Sequence, residues 1–104
     1  MILVRQVFET EWGKSQQVVE MFKQGGEIVR RNLGVTARVR ILTDLSGPFN
    51  TVVQEVEVES LGEWERTRAA MFADPEWQQM TSSGPPPFRS GQAAFYTIES
   101  TLEP

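Results

Sequence analysis

Two stretches of alternating residues, similar in length and opposite in charge, constrain the fold of this chain more than any other feature. Val35–Asp44 puts Val35, Ala37, Val39 and Ile41 on one side and Thr36, Arg38, Arg40 and Leu42 on the other. Thr51–Glu59 puts Val52, Val56 and Val58 on one side and Val53, Glu55, Glu57 and Glu59 on the other. A period of two is the mark of a β-strand with two different faces. The residues between, Leu45–Phe49, contain Gly47 and Pro48 and read as a turn, so the pair predicts a hairpin. Charge then selects the register. If paired residue numbers sum to an odd value, Arg40 faces Glu55, Arg38 faces Glu57, Val39 faces Val56 and Ala37 faces Val58; an even sum sets charge against valine. Cross-strand pairs contribute about 0.2–1 kcal/mol each, and a slip of one residue inverts every face. The expectation is one apolar face and one Arg/Glu-laddered face.

The rest of the chain supplies partners for that hairpin. Ile2–Phe8 has apolar groups on both sides, Ile2, Val4 and Phe8 against Leu3 and Val7, which suits a central strand covered on both faces. From Ser15 the apolar spacing lengthens to the helical period through Val18, Val19, Phe22, Val29 and Leu33. Gly25 and Gly26 interrupt it at a cost of about 2 kcal/mol relative to alanine, so they mark a kink or a close approach. Asn32, Leu33 and Gly34 supply a stop. Ser60 and Glu63 form a capping box for a helix that carries Trp64, Arg68, Met71 and Phe72. Asp74-Pro75-Glu76-Trp77 reads as a re-start of that helix, ending near Met80: Asp caps, Pro takes the first turn, and Glu sits at the positive end. Thr81–Gly91, with Pro85, Pro86 and Pro87, is expected to be an extended connector. Gln92–Ser100 is the last strand, with Ala93 and Phe95 on one face and Ala94, Tyr96 and Ile98 on the other.

The order strand, helix, strand, strand, helix, strand predicts an α+β fold over a single domain, residues 1–104. Right-handed crossovers turn it into a ferredoxin-like βαββαβ arrangement, a four-stranded antiparallel sheet with two helices on one face and the first and third strands central. The other face keeps apolar residues from all four strands beside Arg38, Arg40, Glu55 and Glu57. A second copy of the same sheet covers it most economically, which predicts a homodimer closed into an α/β barrel.

Composition removes much familiar chemistry. The 104 residues include no Cys and no His. That leaves no disulfide, thiolate nucleophile or imidazole base, and none of the usual zinc or haem ligands. No metal and no cofactor is expected. The net charge of −4 argues against nucleic acid as a partner. The longest apolar run is Met1–Val4, too short to span a membrane, and a cytoplasmic protein is expected.

Gly13-Lys14 at the first helix, Ser46-Gly47-Pro48-Phe49-Asn50 in the hairpin turn, Trp64 through Ala70, and Ala73 through Trp77 together resemble the NIPSNAP-like branch of the dimeric α/β-barrel superfamily. The resemblance spans nearly the whole chain. It implies a dimer in which two sheets face each other. The wider superfamily includes cofactor-free monooxygenases of polyketide quinones, haem-degrading enzymes and muconolactone-isomerase-like proteins, while its NIPSNAP-like branch implies no particular reaction. The absence of His makes the haem-binding and His-base members poor guides.

Five residues are candidates for a ligand pocket: Arg5, Trp64, Arg68, Met71 and Tyr96. Trp64 reads first as a packing anchor and second as the wall of a pocket between helices and sheet. Arg5 interrupts an apolar strand and reads first as paired with a carboxylate, second as a group that orients an anionic or carbonyl substrate. Tyr96, the only tyrosine, could polarise a carbonyl. Met71 suits a helix core or an adaptable lining. Glu55 and Glu57, beside arginines, are poor proton donors. Two functions follow: a dimeric small-molecule-binding protein without a defined activity, its ligand small and hydrophobic or aromatic, or a cofactor-independent monooxygenase or isomerase acting on an aromatic or polyketide-like compound.

Overall fold

The computed structural model describes residues 1–47 and 49–104. The elements run β1 (Ile2–Thr10), α1 (Ser15–Leu33), β2 (Val39–Thr43), β3 (Thr51–Val58), α2 (Leu61–Ala73), α3 (Pro75–Thr81) and β4 (Phe88–Thr97). The four strands form one antiparallel sheet in the order β2-β3-β1-β4, with the first and third strands central as expected. This is the ferredoxin-like α+β fold. The hairpin register follows the charges: Arg40 pairs with Glu55 and Val39 with Val56. Arg38 Nε lies 3.3 Å from Glu57 Oε2. The ladder begins only at Val39, four residues later than the alternation suggested. Ala37 still packs against the Val4–Val56–Val58 cluster, but its carbonyl accepts from Arg30 Nη2 of α1 rather than from a strand neighbour.

α1 runs unbroken through both glycines. Gly25 is buried against the Trp77 ring, so this glycine serves close packing, and neither glycine kinks the helix. Gly34 ends the helix in the left-handed region at φ 68°, where a residue without Cβ meets no steric penalty. The second helical region is two helices rather than one, so three helices accompany the sheet. Ser60 Oγ accepts from the Glu63 amide at 3.1 Å, starting α2. The returning Glu63 carboxylate passes the Ser60 amide and accepts instead from Glu59 N at 2.8 Å. Asp74 Oδ1 then accepts from Trp77 N at 3.0 Å and starts α3 with Pro75 in its first turn. The two short helices meet at Asp74 because proline disfavours helical geometry in the residue before it.

β4 begins at Phe88, four residues before the expected start. Gly91, read as connector, lies in the strand opposite Phe8, where a Cβ would come 2.9 Å from the Phe8 ring. Phe88 packs on the same ring with centroids 5.1 Å apart. The glycine is therefore there to admit an aromatic side chain. The strand's backbone pairing runs on past Thr97, since Ile98 N donates to Met1 O. In the hairpin turn, Asn50 adopts φ 64°, a conformation asparagine tolerates. The expected turn over Leu45–Phe49 includes Pro48, which lies outside the described residues.

Pairing puts directly opposed residues on one side of the sheet. The even-numbered residues of β1 and β3 face the helices: Val4, Val52, Val56 and Val58 are buried there, and Phe8 meets Phe22 of α1 at 4.8 Å. Trp64 of α2 packs on the Val4–Val56–Val58 cluster. The odd-numbered residues of β1 and β3 form the open face.

Candidate functional site

The five predicted site residues divide between the two sides of the sheet. Trp64 and Met71 are half-buried on α2, and Thr67 is half-buried between them in the helical period, which turns this stripe toward the sheet. Arg68 is on the outer side of the same helix, its guanidinium 5.2 Å from the centroid of the exposed Phe72 ring. Arg5 and Tyr96 are on the open face.

On the helix side, the rows of the sheet alternate in character. Val39, Val56, Val4 and Phe95 form one row, and Thr43, Val52, Phe8 and Gly91 form another. Between them lies Ile41–Gln54–Gln6–Ala93, with two amides at its centre. Gln54 Nε2 donates to Gln6 Oε1 at 2.9 Å. That bond uses one donor and one acceptor. The Gln6 NH2 group and the Gln54 carbonyl are left with no other hydrogen bond among the described residues, and turning both amides over exchanges their roles but again leaves one NH2 group and one carbonyl available. The pair therefore presents a donor and an acceptor side by side. Trp64 bounds the adjoining row at one end and the Phe8–Phe22 contact bounds the other. Toward β4 the helix side is uncovered: Phe95, in register with fully buried Val4, is 47% exposed. Neither glutamine was singled out from the sequence. The signal was present, because both stand at positions where the alternation of β1 and β3 calls for an apolar residue.

On the open face one row crosses three strands. Glu55 Oε2 lies 3.1 Å from Arg5 Nη1, and Glu55 Oε1 lies 2.5 Å from Arg40 Nη2. The Glu55 side chain is 7% exposed between two arginines whose side chains are 43% and 58% exposed. Arg5 is thus paired within its own chain. Ala94 continues this row, and Leu3 and Tyr96 pair in the next row but one along β1, with Tyr96 53% exposed. On the other side of the charged row stand Leu42, Val53, Val7 and Gln92. An open cleft of about 340 Å³ adjoins them, lined by Val7, Phe8, Glu9, Phe49, Thr51, Ser90 and Gln92. A second open cleft of about 620 Å³ lies at the opposite end, between Arg38, Glu57, Glu63 and the C-terminal segment at Ile98–Thr101. Neither cleft takes in any of the five predicted residues. Among the described residues no group of three or more carboxylates is placed to hold a metal ion, and no helix is long and apolar enough to cross a membrane.

Known proteins agree with this architecture. An uncharacterised NIPSNAP domain protein from Burkholderia xenovorans superposes with a TM-score of 0.80 at 21% identity, covering 99% of each chain. A NIPSNAP family protein of unknown function from Agrobacterium tumefaciens gives 0.78 at 20% identity, covering 92% of this chain and 86% of its own. A variant of SnoaB, a cofactor-independent oxygenase from Streptomyces nogalater, gives 0.69 at 15% identity, covering 97% and 95%. These likenesses establish the fold. No curated protein matches. The NIPSNAP family model matches residues 5–98, nine-tenths of the sequence, from within β1 through the end of β4; the chain belongs to the NIPSNAP family.

Proposed function

We propose that the protein is a homodimeric small-molecule-binding protein that takes a small aromatic compound on the helix side of its sheet, between Trp64 and Phe8. The observation that carries this reading is the Gln6–Gln54 pair. Two amides in the middle of an apolar layer displace packing that valine would supply, and leaving polar groups partly desolvated costs free energy. A ligand bearing a carbonyl and a hydroxyl on one edge would engage the free donor and the free acceptor together. The aromatic walls and half-buried Met71 suit a flat, apolar body. Trp64 and Met71 are the predicted residues that line this site. Arg5 and Tyr96 belong to the opposite face, where the second copy is placed, and Arg68 lies outside both. The cytoplasmic setting rests on composition.

A second reading, a cofactor-independent oxygenase or isomerase, draws on one feature. The free NH2 group is an oriented donor that would stabilise an enolate oxygen in an apolar site. The likeness to SnoaB supports it at the level of fold.

Calorimetric titration with a hydroxynaphthoquinone tests the site. Saturable heat is expected from the parent, with affinity lowered about tenfold or more in Gln6→Leu and Gln54→Leu, the loss of one hydrogen bond to a partly desolvated ligand. Equal binding by all three proteins would remove the amide pair from the argument. Oxygen uptake in the same mixture above the buffer rate would turn the binder into an oxygenase.

A further inference from the structure

On the helix side, β4 carries Phe95, Ala93 and Gly91, directly opposite Val4, Gln6 and Phe8 of β1. Ala93 is exposed and Phe95 is 47% exposed, so this part of the sheet stays open. At Gly91 the place of a side chain is taken by the Phe8 ring, two of whose carbons stand 2.9 Å from where a Cβ would be. Phe22 and Phe88 pack on that ring at 4.8 and 5.1 Å between centroids and fix it as a wall. Along β4 the helix side therefore reads aromatic, methyl, aromatic. Same-side residues of a strand stand about 6.7 Å apart. A ring resting on Ala93 would have an aromatic wall at about that distance on each side, within the range of about 4.5–7 Å over which ring centroids attract. Ala93 is also paired with Gln6, so such a ring would lie beside the Gln6–Gln54 amides.

We infer that Ala93 is the floor of a ring-sized slot between Phe95 and Phe8, and that the ligand is an aryl ketone whose aromatic ring itself bears the carbonyl or hydroxyl edge. The slot extends the proposed amide site and rests on that reading. Direct pairing of Ala93 with Gln6 leaves about 5 Å between their Cα atoms, so the polar edge must be attached to the ring without a spacer. Ala93 sets the room for the ring, and Phe95 sets the preference for an aromatic one. The slot is on the opposite side of the sheet from the face assigned to the second copy, and it opens at the outer edge of β4.

A hydroxytetralone with carbonyl and hydroxyl on one edge is the probe. Its counterpart is the hydroxydecalone of the same skeleton, in which the aromatic ring is saturated. Calorimetric titration is expected to show the tetralone bound about fivefold more tightly than the decalone. Ala93→Leu fills the slot and is expected to lower tetralone affinity about tenfold or more. Phe95→Leu keeps the bulk but removes the ring, and should bring the two probes to nearly equal affinity. Gln6→Leu should weaken both probes alike and leave their ratio unchanged. Undiminished tetralone binding by Ala93→Leu, or an aromatic preference that survives in Phe95→Leu, would overturn the slot; if Gln6→Leu still weakens binding, the amide site stands without it. Absence of binding of either probe to the parent would overturn the amide site and the slot together. If Ala93→Leu loses its far-ultraviolet circular dichroism, Ala93→Val decides in its place by the same two outcomes.

Discussion

Gly25 and Gly26 are neighbours on α1 with opposite surroundings. A Cβ on Gly25 would come 2.6 Å from the Trp77 ring, while one on Gly26 would meet nothing within 4 Å. Gly25→Ala must push α3 away from α1, and overpacking of this kind costs about 1–3 kcal/mol. Gly26→Ala removes backbone freedom from the unfolded chain without a clash and is expected to stabilise by about 0.5–1 kcal/mol. Urea denaturation of the two variants should move the midpoint in opposite directions. The double glycine was visible in the sequence as a helix interruption, yet which of the two does the work depends on Trp77, 52 positions away in the chain. The same limit applies to Gln6 and Gln54. Each breaks the alternation of its own strand, but only the register that pairs them turns two isolated exceptions into one hydrogen-bonded group.

At the scale of elements, local signals were legible where the physics is local. The capping residues Ser60 and Asp74 were marked by side-chain chemistry within a few residues of themselves, and both caps form. Strand ends were less legible, because a strand stops where its partner stops: β4 reaches back to Phe88 only because Phe8 and Thr10 are there to pair. What joins α3 to α1 was not legible at all. Arg31 Nη2 and Asn32 Nδ2 both donate to Glu76, at 2.5 and 3.0 Å, and Asn32 also reaches Asp74. The Asn32 amide and then the Arg31 guanidinium hold the Glu76 carboxyl below its ordinary value of 4.5, with Asp74 opposing. A carboxyl whose pKa falls on folding stabilises the fold above its unfolded value, and the contribution disappears as pH falls through the folded value. The tie between α1 and α3 should therefore be intact at pH 7 and weaken below about 4.5. Glu76→Gln is expected to be less stable than the parent at pH 7 and to approach it near pH 3. A constant gap between their urea midpoints across that range would show that the carboxylate's ionisation has no part in it.

At the scale of the molecule, the two faces of the sheet are finished differently. The helix side buries Val4 and Val52 of the sheet together with Val18 and Ile28 of α1. The open face leaves Leu42 39% and Tyr96 53% exposed, beside Leu3, Val7 and the charged row. Apolar side chains exposed on either side of a charged row are costly in water, and such a surface is commonly covered by another protein surface. A second copy related by a two-fold axis would supply a matching surface without any further component. Solvent exposure and pairing make different predictions for lysine on this face. If the face is wet, Leu42→Lys and Val7→Lys should alter stability by no more than about 0.5 kcal/mol. If two copies pair through it, either lysine places a charge in the interface and should convert a sedimenting dimer into a monomer. The parent would then unfold with a concentration-dependent midpoint, falling by about 3–6 °C for each tenfold dilution of a dimer of this size. The lysine variants should lose that dependence while keeping their far-ultraviolet circular dichroism, since the helix-side core is untouched. A parent that sediments as a monomer at micromolar concentration, with a midpoint indifferent to dilution, would leave the open face in water and the charged row as an exposed ladder.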